Sequence, residues 1–288
     1  MANYLEESAT LYNGVKIPLI GLGTWLMDEA TASQAVVDAV AAGYRHVDTA
    51  QAYGNEAGVG NGLRRSGVPR EEVFVTTKVR AETKNPDAVY CSIEESLEKL
   101  GTDYADLVLI HSPQPWPEFR SERRCFEENA LAWGGMEDAY RDGLCRSIGV
   151  SNFLRDDLEN IFNSCSVRPM VNQVLCHAGN TPKALIDWCR SEGIVVEAYS
   201  PIAHGAALGQ PAVAEIASSH GVSPAQVCMA YCLQLGLVAL PKATGPAHIR
   251  EDADASFGLS EEEMGRLLSL EKLADYGPDR GFPVFAKG

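Results

Sequence analysis

Eight short apolar runs, each followed by a stretch of helical periodicity, restrict this chain more tightly than any other feature. They occupy residues 19–25, 44–49, 73–79, 106–111, 146–152, 169–174, 194–200 and 237–242. Their interiors do not alternate. Val73-Phe74-Val75 and Leu107-Val108-Leu109-Ile110 are continuously apolar, the pattern of strands covered on both faces. Strict alternation of β and α leaves either a closed barrel or an open doubly wound sheet. Eight repeats in 288 residues favour a single-domain α/β protein, a (β/α)8 TIM barrel, since such barrels commonly need about 250 residues or somewhat more.

The helical stretches carry their own start signals. Asn85 precedes Pro86, and Val89, Ile93, Leu97 and Leu100 follow at helical spacing, so Asn85 reads as an N-cap. Ser223-Pro224-Ala225-Gln226, and Ser260 with Glu263, read as capping boxes; Thr181-Pro182 reads as a further start. Residues 10–18, centred on Asn13-Gly14, predict a β-hairpin ahead of the first barrel strand. Residues 274–288, rich in Gly and Pro, read as a loop.

Composition bears on partners. A formal net charge of -15 leaves no basic face to neutralise phosphates and argues against nucleic acid. No apolar run approaches the ~20 residues of a membrane helix, and residues 1–10 carry Glu6 and Glu7 where a signal peptide is apolar. The default expectation is a cytoplasmic protein, monomeric or weakly dimeric, that acts on small molecules. None of the eight cysteines sits in a C-x-x-C pair. Most fall within predicted helices or strands, so they read as core thiols and no metal is expected.

Polar residues recur where the apolar runs finish: Asp48, Lys78, His111, Ser151-Asn152, Gln173, Tyr199 and Lys242. In a (β/α)8 barrel the carboxyl ends of the strands converge on one face, where active sites are built. One lysine or histidine there would signify little. The repetition at seven strand ends does.

At these residues the chain resembles a known family. The stretch Gly43-Tyr44-Arg45-His46-Val47-Asp48-Thr49-Ala50-Gln51-Ala52-Tyr53-Gly54-Asn55-Glu56 resembles the signature of the aldo-keto reductases. Gly149-Val150-Ser151-Asn152-Phe153, Val171-Asn172-Gln173, Glu197-Ala198-Tyr199-Ser200-Pro201 and Leu240-Pro241-Lys242 extend the likeness in order. The resemblance implies a catalytic tetrad of Asp48, Tyr53, Lys78 and His111, and reduction of aldehydes or ketones. Adding hydride to a carbonyl carbon requires a proton at its oxygen. Tyrosine, with a pKa of about 10, is a poor donor at neutral pH; a neighbouring ammonium, Lys78, would favour phenolate and lower that value. Asp48 would hold the lysine, and His111 would orient the substrate carbonyl. Two alternatives remain: a catalytically quiet nicotinamide-binding regulatory subunit on the same barrel, and a different barrel enzyme.

The cofactor implied is NADPH, with NADH as a second possibility, although no Rossmann fingerprint is present. Gly21-Leu22-Gly23 is only a GxG, and the glycines at 58, 60 and 62 fall on a predicted helix. By resemblance, Ser151, Asn152 and Gln173 would bind the carboxamide and Tyr199 would stack on the ring. Thr24 and Ser200 would contact ribose and pyrophosphate. Ile202, Ala243, His248 and Glu251 complete the expected cofactor set, and Lys242 would pair with the 2′-phosphate. His248 and Asp252 depart from the family's usual arginine and asparagine, and losing a forked guanidinium weakens phosphate recognition. Trp25, Arg80 and Trp116 are the candidate substrate contacts. Arg80 is either a partner for an anionic substrate group or a solvated rim charge.

Overall fold

The computed structural model describes residues 4–255 and 257–287. Residues 1–3 of the N-terminal reading, and the final glycine of the predicted loop, lie outside them. The chain begins with an antiparallel hairpin, β1 (Ser8–Thr10) and β2 (Lys16–Pro18), that pairs Thr10 with Lys16. The connection is a five-residue loop, Leu11–Val15, rather than a two-residue Asn-Gly turn: Gly14 takes the left-handed position at φ 89, Gly14 N donates to Leu11 O, and Asn13 Oδ1 accepts from Val15 N. The hairpin buries Leu11 and Ile17 against the core and leads into the barrel.

Eight parallel strands then follow in chain order around the sheet: β3 (Leu22–Gly23), β4 (His46–Asp48), β5 (Phe74–Val79), β6 (Leu107–Ile110), β7 (Ile148–Ser151), β8 (Val171–Leu175), β9 (Val195–Tyr199) and β10 (Val238–Leu240). The seam is closed by backbone pairing. Ile20 bridges Ala239 in parallel, and Gly21 N, Gly23 N and Ala239 N donate to Ala239 O, Pro241 O and Leu19 O at 2.8–3.0 Å. The first apolar run is thus regular only at Leu22–Gly23. After Gly23 the chain leaves the sheet, and Leu26 turns at φ 60.

The α-helices are α1 (Glu29–Ala41), α2 (Glu56–Ser66), α3 (Pro86–Leu100), α4 (Phe126–Arg141), α5 (Arg155–Phe162), α6 (Lys183–Ser191), α7 (Pro211–His220), α8 (Pro224–Gln234), α9 (Pro246–Ala253), α10 (Glu261–Leu268) and α11 (Pro283–Lys287), with short 3-10 turns between some of the elements. Asn85 caps α3 through Ala88 N, and both capping boxes form at α8 and α10. Thr181 does not cap α6, which begins at Lys183. Its hydroxyl is committed to His177 O and Tyr231 OH.

The predicted C-terminal loop is partly helical. A 3-10 turn over Gly277–Gly281 leads into α11, started by Pro283 and held down by Phe282, Val284 and Phe285. Composition had obscured an apolar face in a Gly- and Pro-rich segment.

The glycines at 58, 60 and 62 do lie on a helix, and their role there is close packing. A Cβ on Gly60 would stand 2.1 Å from Leu100 O, and on Gly58 2.3 Å from Glu29 O. The adjacent pair in α4 separates two costs. A Cβ on Gly135 would meet Pro86 O at 2.4 Å, whereas one on Gly134 meets nothing within 4 Å. Gly134→Ala should raise stability by about 0.5–1 kcal/mol, and Gly135→Ala should lower it by about 1–3 kcal/mol. Urea midpoints that move in the same direction for both variants would contradict this packing account.

Candidate active site

The carboxyl ends of β4, β5 and β6 bring the four tetrad candidates together. Lys78, on β5, is fully buried, and its Nζ donates to Asp48 Oδ1 at 2.5 Å, to Thr49 O at 2.9 Å and to Tyr53 OH at 3.4 Å. All three ammonium hydrogens are therefore committed. Tyr53 follows β4 on a 3-10 turn, Gln51–Tyr53. Gln51 anchors that turn by donating to Ser92 O and Ser96 Oγ while accepting from Arg80 N. The ring of Tyr53 stands edge-on to His111, with centroids 5.5 Å apart.

Electrostatics assign the protonation states. Burial pulls Lys78 toward the neutral amine, but Asp48 and Tyr53 outweigh it and hold the ammonium above its ordinary value. Tyr53 moves against expectation. Burial raises its pKa more than the Lys78 ammonium lowers it, and Asp48 adds a smaller upward push, so the net shift is upward. Lys78 does act to acidify the phenol, but burial outweighs it, and Tyr53 stays a neutral O–H. His111 is pushed well below the ordinary imidazole value by burial, then by Lys78 and Arg80. It is a neutral imidazole at physiological pH, and its Nδ1 is buried without a partner.

One cavity of about 960 Å³ collects the site. Asp48, Tyr53 and His111 line it, and Lys78 lies directly behind them. So do all the candidate cofactor residues: Thr24, Ser151, Asn152, Gln173, Tyr199, Ser200, Ile202, Lys242, Ala243, His248 and Glu251. Trp25, Arg80 and Trp116 line it too.

Several of these side chains have protein partners already. Asn152 sits at φ 64, a left-handed position that asparagine tolerates. Its Nδ2 donates to His111 O and Ser151 Oγ, and its Oδ1 accepts from Tyr199 OH at 2.7 Å. One Oδ1 lone pair is left for a ligand. Thr24 Oγ1 donates to Asp48 O. Both Nε2 hydrogens of Gln173 are taken by Asp48 Oδ2 and Glu197 Oε2. Arg80 donates Nη2 to Gln51 O at 3.2 Å, so it steadies the Tyr53 turn as well as facing the cavity. Also on the cavity lining, His248 pairs with Glu251 at 3.1 Å, and burial raises the Asp252 carboxyl to about 7. Among the described residues, no ion pair engages Lys242.

Other site residues were not singled out from sequence. Asn55 is fully buried: its Oδ1 accepts from Thr49, and its Nδ2 donates to Thr24 O and Met27 O. It ties the Tyr53 turn to the loop that carries Trp25. Phe282 closes the mouth against Trp25 at 5.4 Å and Trp116 at 5.0 Å. His204 bonds Asp279 through Nδ1 at 2.8 Å and Ser200 through Nε2 at 3.2 Å, which joins the loop after β9 to the C-terminal segment. Proline at 283 between two phenylalanines was a readable signal for the last helix. No local pattern pointed to the His204 contact. Six of the eight cysteines are buried, as expected of core thiols, but Cys91 is exposed and Cys165 partly so.

A closed parallel barrel with a buried lysine–carboxylate pair behind a cavity-facing tyrosine defines a class of barrel enzyme with a built proton-donor site. The chain matches the profile of the Aldo/keto reductase family over residues 19–272 and belongs to that family. It is an oxidoreductase acting on carbonyl groups. It is 41% identical over 281 residues to the 9,11-endoperoxide prostaglandin H2 reductase of Trypanosoma cruzi (strain CL Brener), covering 95% of each chain. It is 40% identical over 281 residues to the glyoxal reductase of Bacillus subtilis (strain 168), covering 97% of this chain and 98% of the other. The crystal structure of a Bombyx mori aldo-keto reductase in complex with NADP superposes with a TM-score of 0.85 at 33% identity, covering 97% and 98% of the two chains.

Proposed function

We propose that this protein reduces aldehydes and ketones to alcohols with NADPH, with Tyr53 as the proton donor. The observation that carries the reading is the neutral Tyr53 hydroxyl on the cavity wall with the Lys78 ammonium 3.4 Å behind it. The residues present fit the cofactor. The same cavity is lined by Tyr53 and by Lys242, and among the described residues Lys242 has no ion pair and Gln173 Oε1 no hydrogen-bond partner, both Nε2 hydrogens of Gln173 being taken. Lys242 would hold the 2′-phosphate, Ser151, Asn152 and Gln173 the carboxamide, and Tyr199 the ring. When bound, the nicotinamide cofactor supplies hydride.

The chain's own residues handle the proton. His111, held neutral, donates one hydrogen bond to the substrate oxygen and orients it. Tyr53 gives its O–H proton to that oxygen. The phenolate left behind is met by the Lys78 ammonium, already placed and already balanced by Asp48, so little rearrangement is required. Arg80 offers its remaining donors to an anionic group on the carbonyl compound.

Purified protein should oxidise NADPH in the presence of 4-nitrobenzaldehyde or methylglyoxal. Failure to bind NADPH or to turn over any of an aldehyde panel would overturn the proposal. Because Lys242 supplies one unforked charge, NADPH should be preferred over NADH by about 10–100-fold in kcat/KM, the value of one charge-assisted contact. Lys242→Ala should bring the two cofactors within about threefold of each other, mainly by raising KM for NADPH. A preference that survives Lys242→Ala would move phosphate recognition elsewhere.

A further inference from the structure

Beneath the tetrad, the barrel interior contains a carboxyl group that the proton chemistry does not use. Glu197, on β9, is fully buried in the barrel interior. Its Oε2 accepts from Gln173 Nε2 at 2.9 Å, while Asp48 Oδ2 accepts the second hydrogen of the same amide at 2.8 Å. Its Oε1 lies 3.8 Å from His46 Nε2 and has no hydrogen-bond partner. That is an expensive place for a carboxyl group unless it does something.

An amide has two ends of opposite hydrogen-bonding sense, and turning it over costs little when its surroundings are indifferent. Here they are not. Two carboxyl oxygens from different strands hold the NH2 end of Gln173, so the carbonyl end is the one left toward the cavity that Gln173 lines.

We propose that Glu197 is a positioning residue: together with Asp48 it fixes the Gln173 amide so that Oε1 is presented to the cavity solely as an acceptor, selecting a ligand that brings an amide N–H. Given the nicotinamide reading above, on which this rests, the N–H is that of the carboxamide. A glutamine held by Asp48 alone would keep only one of its two restraints. The acceptor would then be set less firmly, and a ligand carrying a methyl group in place of NH2 would be less strongly disfavoured.

Burial, then Asp48, raises the Glu197 carboxyl to about 8. The native state therefore keeps a proton that the unfolded chain has released, and stability contributed at this site falls as pH rises from the ordinary 4.5 toward 8. Replacing it with an apolar side chain of similar length removes that cost, so Glu197→Met should fold and should gain stability relative to wild type across that interval.

The test measures Kd for NADP+ and for its 3-acetylpyridine analogue, in which the carboxamide NH2 is replaced by methyl. The ratio of the two within one protein is insensitive to the fraction folded. Wild type should favour NADP+ by about fivefold to tenfold, the value of one hydrogen bond. Glu197→Met should reduce that ratio to within about twofold, whereas Glu197→Gln, which still places an acceptor oxygen beside Gln173, should retain most of it. A ratio unchanged in Glu197→Met, or both affinities weakened equally, would make Glu197 merely structural and overturn the proposal. A wild type that binds both ligands equally would overturn it while leaving the cofactor reading intact; one that binds neither would remove the cofactor reading itself.

Discussion

Tyr53→Phe should lower kcat/KM for a reactive aldehyde by about 10²–10⁴-fold, the span that general acid catalysis contributes, while NADPH affinity changes by no more than about twofold. The substitution deletes one oxygen and leaves the ring edge-on to His111. Lys78 keeps its bonds to Asp48 and Thr49, so the buried pair does not collapse. The loss should fall mainly on kcat, because the contact is made most strongly while the carbonyl oxygen gains charge. Initial rates with 4-nitrobenzaldehyde, alongside fluorescence titration with NADPH, read both quantities. If the variant turns over at the wild-type rate, the proton comes from elsewhere and the role given to Tyr53 is wrong.

The second large effect concerns stability as much as rate. Lys78→Met leaves Asp48, itself 4% exposed, with Gln173 as its remaining side-chain donor and no cation. Removing one member of a buried pair costs about 3–5 kcal/mol, so the variant should unfold at markedly lower urea and also be inactive. The double variant Asp48→Asn/Lys78→Met restores a neutral interior and should recover most of that stability without recovering activity. The comparison separates the structural work of the pair from its chemical work. A single variant as stable as wild type would mean that the pair is not buried as described. An active double variant would mean that phenolate forms without the ammonium.

Most of the fold was legible because two periodicities carry it: continuous apolar runs for strands covered on both faces, and capped amphipathic stretches for helices. Elements that depend on remote partners were less so. The first strand shrinks to Leu22–Gly23 because Thr24 and Met27 give their carbonyl oxygens to Asn55, a contact across the loop after β4. The last helix was read as loop because its apolar residues find their surface on Trp25 and Trp116, far away in sequence. At the site, the strand-end rule pointed to Asp48, Lys78, His111, Ser151-Asn152, Gln173, Tyr199 and Lys242, since parallel topology places those ends together whatever lies between them, whereas Tyr53 and the remaining candidates came from the family resemblance. The same rule is silent about the barrel interior, where Glu197 and His46 are buried within strands rather than at their carboxyl ends. For Tyr53 the sequence named the Lys78 effect in its actual direction but could not weigh it against burial, which raises the net value. A lysine beside a tyrosine gives net acidification only where its pull exceeds the cost of burying the phenolate, and at Tyr53 burial is the larger effect.

The seam between Ile20 and Ala239 couples the first and last strands of the barrel. The first strand has no ladder partner on its outer side until the eighth arrives, roughly two hundred residues later, so a nascent or truncated chain that stops before β10 presents two raw strand edges at once. Such edges pair with other chains as readily as with each other. Shortening this protein by a single terminal strand should therefore convert a discrete molecule into a self-associating one, and ring closure protects the chain from its neighbours as well as giving it shape.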